Sequence, residues 1–583
     1  MKKLRALKLT RSSGLGSVAL RMENSGKPIR KLIKTKFVNE GTLAIVFAIS
    51  LSAFLYFMRE MRPLPVYLQA LMAAPLFFLI LHKVYEIWCD AKLLFVQNRD
   101  YDKLADAPAK GRLPAITFII PSYHEPFAVA KMTFDSVVNT PYAGRKEILV
   151  VDNSGNTDTD DFFQWKAYVE NFGLLYPNRN ITAKFLYNNV RATLKPGNLD
   201  LAQQHITEGE LVVFLDIDST LPEQGDLLER AVTQFKEDPS LGFIQFRIHS
   251  TNGHFNKLTR AVTASQDLLR LRQIMRGYGG YKIFEGHNGI WRKSVLHEIG
   301  DWTQYYNGDI IVTEDILKTA DMYAKGYYGK SINAGTGEWV PASLKALEGM
   351  WMRWMYGNSQ VFFKCFKKIY AGSVSFVEKF DITYHILHHV ATVLFFLIAI
   401  VYQLLLPGHL ANTFILAFYI APQLLSMGVS WSLTDKQTDR RTVWRKLGDI
   451  YAGLFFIDTF IMYTQVKSDL KFVLGVPQGW KVTEKGLEDC MSWTNILRNK
   501  LFHLSLIAIT AAVCLTSWII TYDMQWSAWS YYAASLFLNL NLLLCILVFA
   551  KDGRKEHNSV QSEIVPDLEC LYETERIEVA VNS

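Results

Sequence analysis

The sequence predicts an α/β domain, built on a largely parallel sheet, that is inserted between about six membrane-spanning helices. Three observations support this fold class. Long apolar blocks flank a polar middle region, short β-rich runs alternate with helical patterns inside that region, and carboxylates follow several of these runs. The apolar blocks predict membrane helices, the alternation predicts the fold, and the carboxylates indicate the candidate site.

The apolar blocks are long enough, or nearly so, to cross the hydrocarbon core of a bilayer as helices. The chain has 583 residues, and 50% of them are hydrophobic. Two blocks precede the polar region and four follow it: 42–58, 66–81, 389–406, 413–431, 501–521 and 531–550. The sequence therefore predicts a membrane protein with the lipid bilayer as a partner.

Charges near the blocks predict which side of the membrane each segment occupies. Residues 1–36 are polar and basic and lack a signal-peptide pattern, so the positive-inside rule keeps them in the cytoplasm. Two spans within 37–91 then return the chain to the cytoplasm, although Arg59 and Arg62 in the short outer turn mildly oppose this orientation. We therefore expect a multi-pass protein of the plasma (inner) membrane, with residues 92–345 forming a cytosolic domain.

The region after this domain predicts interfacial helices over 346–381 and four spans within 382–550. Residues 449–465 are also apolar, but Asp458 in their middle is costly in lipid, and a crossing here would place several lysines outside. We interpret 449–465 as an interfacial or re-entrant helix. Residues 551–583 are then a cytoplasmic tail.

Composition excludes some classes of function. The net charge of +7 is explained by basic residues flanking the spans, and no basic face with interleaved aromatics indicates nucleic-acid binding. The six cysteines show no CxxC pairing and are expected to be reduced. His385, His388 and His389 lie at the start of a predicted span, where helix-terminal histidines at the interface are a better interpretation than metal ligands.

The polar region alternates strand-like and helical patterns, which is typical of a parallel sheet. The predicted strands are 116–120, 146–151, 183–187, 211–215 and 242–246. Ligands of such sheets bind outside the carboxyl ends of the strands. Pro121–Pro126, Asp152 and the pair Asp216 and Asp218 follow three of these strands, so we expect them at one edge.

Two carboxylates one residue apart repel each other unless a positive charge lies nearby. A turn or capping role remains an open alternative, above all for Asp152. In an extended strand Asp216 and Asp218 project to the same side, where one can hold Mg²⁺ or Mn²⁺ and the other can meet sugar hydroxyls. A nucleotide diphosphate is the ligand that this arrangement indicates.

The motifs resemble the family-2 glycosyltransferases, specifically the membrane-embedded processive cellulose, curdlan, chitin and hyaluronan synthases. The resemblance spans about residues 117–358 and rests on eight motifs in family order: IIPSYHEP, VVDNSGN, KPGNLDLA, LDIDS, EGHNGIWRKSVL, TED, GEWVPASL and MRWMYG. It implies a GT-A-like fold for the cytosolic domain. It also implies inverting transfer from a UDP-sugar, with glucose and a β-glucan as the leading expectation, and export of the growing polysaccharide.

The resemblance assigns Asp315 of TED as the base that takes the acceptor proton, and helix capping by Thr313 or Asp315 is the structural alternative. Arg353 would grip the diphosphate and Trp354 would face a sugar ring. Met350 stands where the family has glutamine, which removes one hydrogen-bonding side chain from the pocket. An amphipathic helix at the lipid interface is compatible with these roles.

The remaining assignments also follow from the resemblance. Nucleotide and diphosphate binding is assigned to Pro121, Tyr123, Glu125, Asp152, Lys195, Asp216, Asp218 and Arg353, with Asp218 as the metal ligand. Acceptor binding is assigned to Gly286, His287, Asn288, Glu314 and Trp354. A gating loop over 476–490 would place Trp480, Val482 and Thr483 over the nucleotide, although a plain juxtamembrane loop is the alternative.

Two other functions remain open. Ceramide glucosyltransferases share the aspartates and the RW motif, so a non-processive enzyme that adds one sugar to a membrane lipid is an alternative. A non-catalytic scaffold or export subunit is another. Association into a homo-oligomer or with accessory export subunits is compatible with either.

Overall fold

The computed structural model describes residues 18–21, 30–33, 39–95, 111–154, 159–176, 180–276, 281–372, 374–405, 416–432, 440–479, 493–520 and 526–550. The predicted gating residues Trp480, Val482 and Thr483 lie outside the described residues, as does the tail 551–583.

A seven-stranded sheet organises the polar region, in the order β11-β7-β8-β6-β3-β4-β5. Its strands are β3 (Ile116–Ser122), β4 (Lys146–Asp152), β5 (Ile181–Tyr187), β6 (Leu211–Phe214), β7 (Leu241–Ser250), β8 (Gly289–Arg292) and β11 (Tyr328–Glu338). Two hairpins lie apart from it, β1 (Val18–Arg21) with β2 (Arg30–Ile33), and β9 (Tyr305–Tyr306) with β10 (Asp309–Ile310). The five predicted strands are all present.

The sheet is mixed, because β8 runs antiparallel to both β6 and β7 while the other pairs are parallel. Neither β8 nor β11 was predicted. β11 is rich in glycine, which normally disfavours a strand. Here the absence of a side chain is required, because a Cβ on Gly329 would lie 2.2 Å from the Phe243 ring of the neighbouring strand.

Helices cover both faces of the sheet: α3 (Phe127–Asn139), α4 (Asp160–Glu170), α5 (Phe172–Leu175), α6 (Leu194–Gln204), α7 (Leu227–Glu237), α8 (Lys257–Arg276), α9 (Lys293–Ile299) and α10 (Glu314–Ala324). Alternate strand residues enter two separate hydrophobic cores, with Phe118 and Val150 in one and Ile119 and Leu149 in the other. The sheet is thus buried on both sides, which leaves its edges and strand ends for ligands.

The helices outside this domain are α1 (Glu40–Glu60), α2 (Val66–Phe95), α11 (Leu344–Ala371), α12 (Phe376–Leu405), α13 (Ala421–Ser432), α14 (Arg440–Tyr451), α15 (Asp458–Val473), α16 (Trp493–Asn499), α17 (Leu501–Ile520) and α18 (Trp526–Phe549). Among the described residues, four helical segments are long and apolar enough to cross a membrane: Glu40–Glu60, Val66–Leu93, Phe376–Leu405 and Leu501–Ile520. By length and composition they make the chain a membrane protein.

The other two predicted spans are not among these four. The block 413–431 lies partly outside the described residues, and the last block yields the shorter apolar segment Ser535–Phe549. The segment 449–465 belongs to a continuous helical stretch that runs from α14 through a π-helical turn, Ala452–Ile457, into α15. Its interfacial or re-entrant placement stays a prediction.

The histidines of α12 do not have the helix-terminal position that the sequence predicts. His385, His388 and His389 are not at a helix terminus, because α12 begins at Phe376, and His389 is buried with Nδ1 2.7 Å from the Asp469 carboxylate of α15. No disulfide joins the cysteines that the structure describes, Cys89, Cys365, Cys514 and Cys545, and the reduced state expected for all six stays a prediction.

Helix α8 connects the sheet domain to the apolar helices through side chains. The guanidinium of Arg272 donates to both carboxylate oxygens of Asp90 in α2, at 2.6 and 2.5 Å. Ser265 donates to Asp458 at 2.5 Å, and the guanidinium of Arg260 lies 3.3 Å from Asp449. These contacts hold α8 against the α2 and α14–α15 segments.

Candidate active site

The predicted site residues converge at the carboxyl ends of β4 and β6 and at the start of α10. Lys195, from the first turn of α6, lies at the centre of this group. Its Nζ is 2.6 Å from Asp216 and 3.6 Å from Glu314, and it donates to the carbonyl of Gly286 at 3.4 Å. Burial favours the neutral amine, but the Asp216 and Glu314 carboxylates raise the pKa of Lys195.

Lys195 supplies beside Asp216 a positive charge that the local sequence does not place there. The two carboxylates are unequal, because the Asp216 side chain is 33% exposed and Asp218 is only 6% exposed. Asp216 is committed to Lys195. The role of Asp218 as a metal ligand stays a prediction.

The predicted extended geometry of Asp216 and Asp218 is wrong. β6 ends at Phe214, and the chain then turns, with the Ser219 amide donating to the Asp216 carbonyl at 2.9 Å. The Ser219 hydroxyl accepts the Asp216 amide at 3.0 Å and closes the same turn. We call residues 216–219 the DIDS turn. The strand prediction missed this turn because both bonds that close it are made by the buried Ser219, which the spacing of Asp216 and Asp218 does not include.

Asp315 lies in the first turn of α10, where it accepts the Ile316 amide at 2.8 Å. Thr313, the residue before the helix, makes no side-chain capping bond within the described residues. Burial, and then the adjacent Glu314 carboxylate, raise the pKa of Asp315 to about 7. A carboxylate with this pKa is well placed to accept a proton near neutral pH. Its role as the base stays a prediction.

Gly286 brings the loop 286–288 directly against Asp315. Its φ of 86° is in the left-handed region, and a Cβ there would lie 3.1 Å from the Asp315 carboxylate. Asn288, also left-handed with φ of 50°, is fully buried and donates to the Gly337 carbonyl at 2.9 Å. Asn288 therefore supports the loop, and the acceptor role predicted for it stays a prediction.

Arg353 projects from α11 into the same group of carboxylates. Burial lowers the pKa of its guanidinium, while Glu314, Asp216 and Asp315 act in the opposite direction. Two features hold α11 close to α10: a Cβ on Gly357 would lie 2.4 Å from Thr313, and Gln360 accepts the Val312 amide at 3.2 Å. The RW helix and the TED segment are thus packed as a unit.

The helix α11 also enters the core formed by the apolar helices. Met350 is 8% exposed and belongs to a cluster with Leu76 of α2 and Phe395 of α12. A glutamine there would place a polar amide among apolar side chains. Trp354 packs on Trp351, with ring centroids 5.1 Å apart, and is partly buried against the same cluster.

The ends of β3 and β4 form the other side of the site. Asp152 is buried and accepts from the Ser122 hydroxyl at 2.5 Å and from the Ser154 amide at 2.7 Å, so the turn role considered for it is present. Burial raises the pKa of Asp152. Pro121 is buried in β3, Tyr123 is 38% exposed, and Glu125 is partly exposed.

Sequence reasoning gave no role to Ser219, Glu338 or Arg270. His287 lies with its Nε2 2.8 Å from Glu338 and its Nδ1 3.3 Å from the Ser219 hydroxyl. Burial would raise the pKa of Glu338, but Arg270 and His287 lower it to about 2. Both Ser219 and Glu338 fall inside quoted motifs, so the motifs signalled the segments but not the contacts.

A sheet covered by helices on both faces, with carboxylates at the ends of its strands, is a GT-A-like α/β domain. Two family descriptions match the chain, "Glycosyl transferase family 2" over residues 117–300 and "Glycosyl transferase family group 2" over residues 211–431. The region 117–431 thus carries glycosyltransferase family-2 domains.

Curated relatives and a solved structure are similar to the chain. "Probable glucomannan 4-beta-mannosyltransferase 9" of Oryza sativa subsp. japonica is 23% identical over 334 residues, 55% of this chain and 60% of that protein. "Glucomannan 4-beta-mannosyltransferase 1" of Cyamopsis tetragonoloba is 23% identical over 264 residues, 44% of this chain and 48% of that protein. The chain thus aligns with less than two thirds of either relative.

A mannosyltransferase from Pyrobaculum calidifontis, solved in complex with GDP-Man and Mn²⁺, is 17% identical with a TM-score of 0.43. The match covers 70% of this chain and 99% of that one.

Proposed function

We propose that this protein is a processive, inverting glycosyltransferase of the plasma membrane that polymerises a nucleotide-activated hexose into a β-linked polysaccharide and exports it. The observation that carries the proposal is that one helix joins the site to the membrane region. α11 presents Arg353 to Glu314 and Asp315, and its residues Leu347 and Met350 pack in one core with the apolar helices. A polymer extended at this site would start its path at the membrane helices.

Each of these side chains has one role in the proposed reaction. Asp315 takes the proton of the acceptor hydroxyl while the acceptor oxygen bonds to the anomeric carbon of the donor sugar. The bond from that carbon to the diphosphate oxygen breaks, and its electron pair leaves with the diphosphate. Lys195 and Arg353 offset the growing negative charge. Trp354 offers an apolar face to an acceptor ring.

The same residues fit a divalent cation, Mg²⁺ or Mn²⁺. Asp218 offers a buried hard oxygen ligand in the DIDS turn. In the part of the chain that the structure describes, no group of three or more His, Cys, Asp or Glu side chains is arranged to hold a metal alone. Such an ion would take its other ligands from the donor phosphates and from water, and would neutralise diphosphate charge.

Two nucleotide sugars are candidate donors. The motif resemblance favours UDP-glucose and a β-glucan. The curated relatives are named as mannosyltransferases, which makes GDP-mannose a second candidate donor. Incubating the purified protein with UDP-glucose, UDP-N-acetylglucosamine, UDP-glucuronate or GDP-mannose, and measuring UDP or GDP release, decides between them. Release from none of these donors by a folded protein would favour a non-catalytic export subunit.

Product length tests processivity. With a radiolabelled donor, a processive synthase gives polymer that is retained on a filter. A lipid glycosyltransferase gives only organic-extractable product, and this result would replace the polymerase proposal with the single-sugar alternative.

A further inference from the structure

A chain of polar contacts connects the DIDS turn to helix α8. The His287 ring lies between the Ser219 hydroxyl, 3.3 Å from Nδ1, and the Glu338 carboxylate, 2.8 Å from Nε2. The second oxygen of Glu338 binds the guanidinium of Arg270, which also donates to the Ile248 carbonyl at 3.3 Å. All of these side chains are 15% exposed or less.

The position of His287 argues against direct contact with an acceptor sugar. Both ring nitrogens face protein partners, and the side chain is only 11% exposed. A sugar hydroxyl would have to displace Ser219 or Glu338 to reach a ring nitrogen. This geometry holds whichever nitrogen carries the proton.

Ser219 connects the chain of contacts to the DIDS turn. The hydroxyl that meets His287 also accepts the Asp216 amide at 3.0 Å. The next residue, Thr220, exchanges two backbone bonds with Gly337, at 3.0 and 2.8 Å, directly before Glu338. The DIDS turn is therefore fixed from two sides, by β11 through the backbone and by His287 through a side chain.

Helix α8 gives the chain of contacts its anchor. Arg270 and Arg272 are two residues apart, which separates them by about 200° around a helix. Arg270 accordingly faces Glu338, while Arg272 faces Asp90 of α2. The orientation of Glu338 is thus tied to a helix that is itself held against the apolar helices.

We propose that His287 is a positioning residue that holds the DIDS turn, through Ser219, in the conformation that binds the metal-bound nucleotide diphosphate. Its effect reaches the ligand through Asp216 and Asp218 and not through the acceptor. The inference rests on the proposed function for the identity of the ligand.

The test is equilibrium binding of UDP and of GDP to the purified full-length protein with MnCl₂, which requires no turnover. The variants are His287→Ala, Ser219→Ala, the double variant, and His297→Ala as a control, since His297 is exposed on α9. We expect each single variant, His287→Ala or Ser219→Ala, to weaken nucleotide binding about 3- to 30-fold, which lies within the range for coupled neighbours. The double variant should bind the nucleotide with about the same affinity as the single variant that binds it less tightly. The control should bind it as the unaltered protein does.

Conservative variants separate positioning from general loss of structure. Asparagine can place an amide near the Nδ1 position and glutamine near the Nε2 position. His287→Asn should therefore restore more nucleotide affinity than His287→Gln, because only the former retains the contact with Ser219. A purely structural role would make rescue follow side-chain volume instead, and that result overturns the proposal.

The remaining outcomes are also decisive. Independent, multiplicative losses in the double variant would show that His287 does not act through Ser219. Unchanged nucleotide affinity in His287→Ala, with a raised KM for the acceptor alone, would make His287 an acceptor contact. If the unaltered protein binds neither UDP nor GDP, the proposed function fails and this inference fails with it.

Discussion

Replacement of Asp315 by asparagine separates proton transfer from every other property of the site. The asparagine keeps the volume of the side chain and retains an oxygen that can accept the Ile316 amide, but it cannot take a proton. We expect turnover to fall roughly a hundred- to ten-thousand-fold, the usual range for loss of a general base, while affinity for UDP or GDP stays nearly unchanged. Arg353 and Lys195, which carry the diphosphate in the proposal, are untouched.

The same change should stabilise the folded protein at alkaline pH. Burial and the Glu314 carboxylate raise the pKa of Asp315 from 3.8 to about 7, so the folded state holds this proton more tightly than the unfolded chain. The stabilisation is complete below the unfolded pKa and is lost as pH rises through about 7. About 1.4 kcal/mol per pKa unit sets an upper limit of about 4 kcal/mol. Because the Asp315 side chain retains some solvent contact, we expect about 2 kcal/mol.

Two measurements check this prediction. Thermal unfolding in detergent at pH 8 should show Asp315→Asn melting a few degrees above the unaltered protein, with the difference vanishing near pH 4. Activity of the unaltered protein should fall about tenfold per pH unit below 7, because the base becomes protonated. Asp160→Asn, an exposed position on α4, is the matched control and should alter neither property. A variant that melts below the unaltered protein at pH 8, or that loses nucleotide affinity, would refute the assignment of Asp315.

Three further predictions follow from the same geometry. Asp218→Asn should abolish turnover and weaken nucleotide binding most in the presence of Mn²⁺ or Mg²⁺; an unchanged metal dependence, measured by titrating each ion, argues against Asp218 as a ligand. Arg353→Ala should weaken nucleotide binding together with turnover, since its grip on the diphosphate is present before and during the reaction; normal UDP and GDP affinity in this variant would contradict that role. Gly357→Ala should lower stability by about 1–3 kcal/mol, because its Cβ would lie 2.4 Å from Thr313 and overpacking separates α11 from α10; a melting temperature equal to that of the unaltered protein would show that Thr313 moves freely.

The sequence alone predicted an α/β domain between apolar helices and five of the seven strands of its sheet, because these signals are local. Apolar blocks with no charges predict membrane helices wherever they occur, and β-rich runs such as that preceding Asp152 predict strands from their own composition. Parallel pairing then places the carboxyl ends of β3, β4 and β6 at one edge, which brought Asp152 and Asp216 to the site without any knowledge of distance. The order of the motifs added Asp315 and Arg353.

Only the tertiary structure decided the charges and contacts of the site. Lys195 neutralises Asp216 from 21 positions away in sequence, and Glu338, at the end of β11, meets His287 in the loop before β8, so no spacing rule predicts either pair. The raised pKa of Asp315 likewise requires burial and the orientation of Glu314, which exist only when α10 packs beneath α11. Local patterns specify which residues a segment offers, whereas partners and desolvation depend on distances that folding sets between segments remote in sequence.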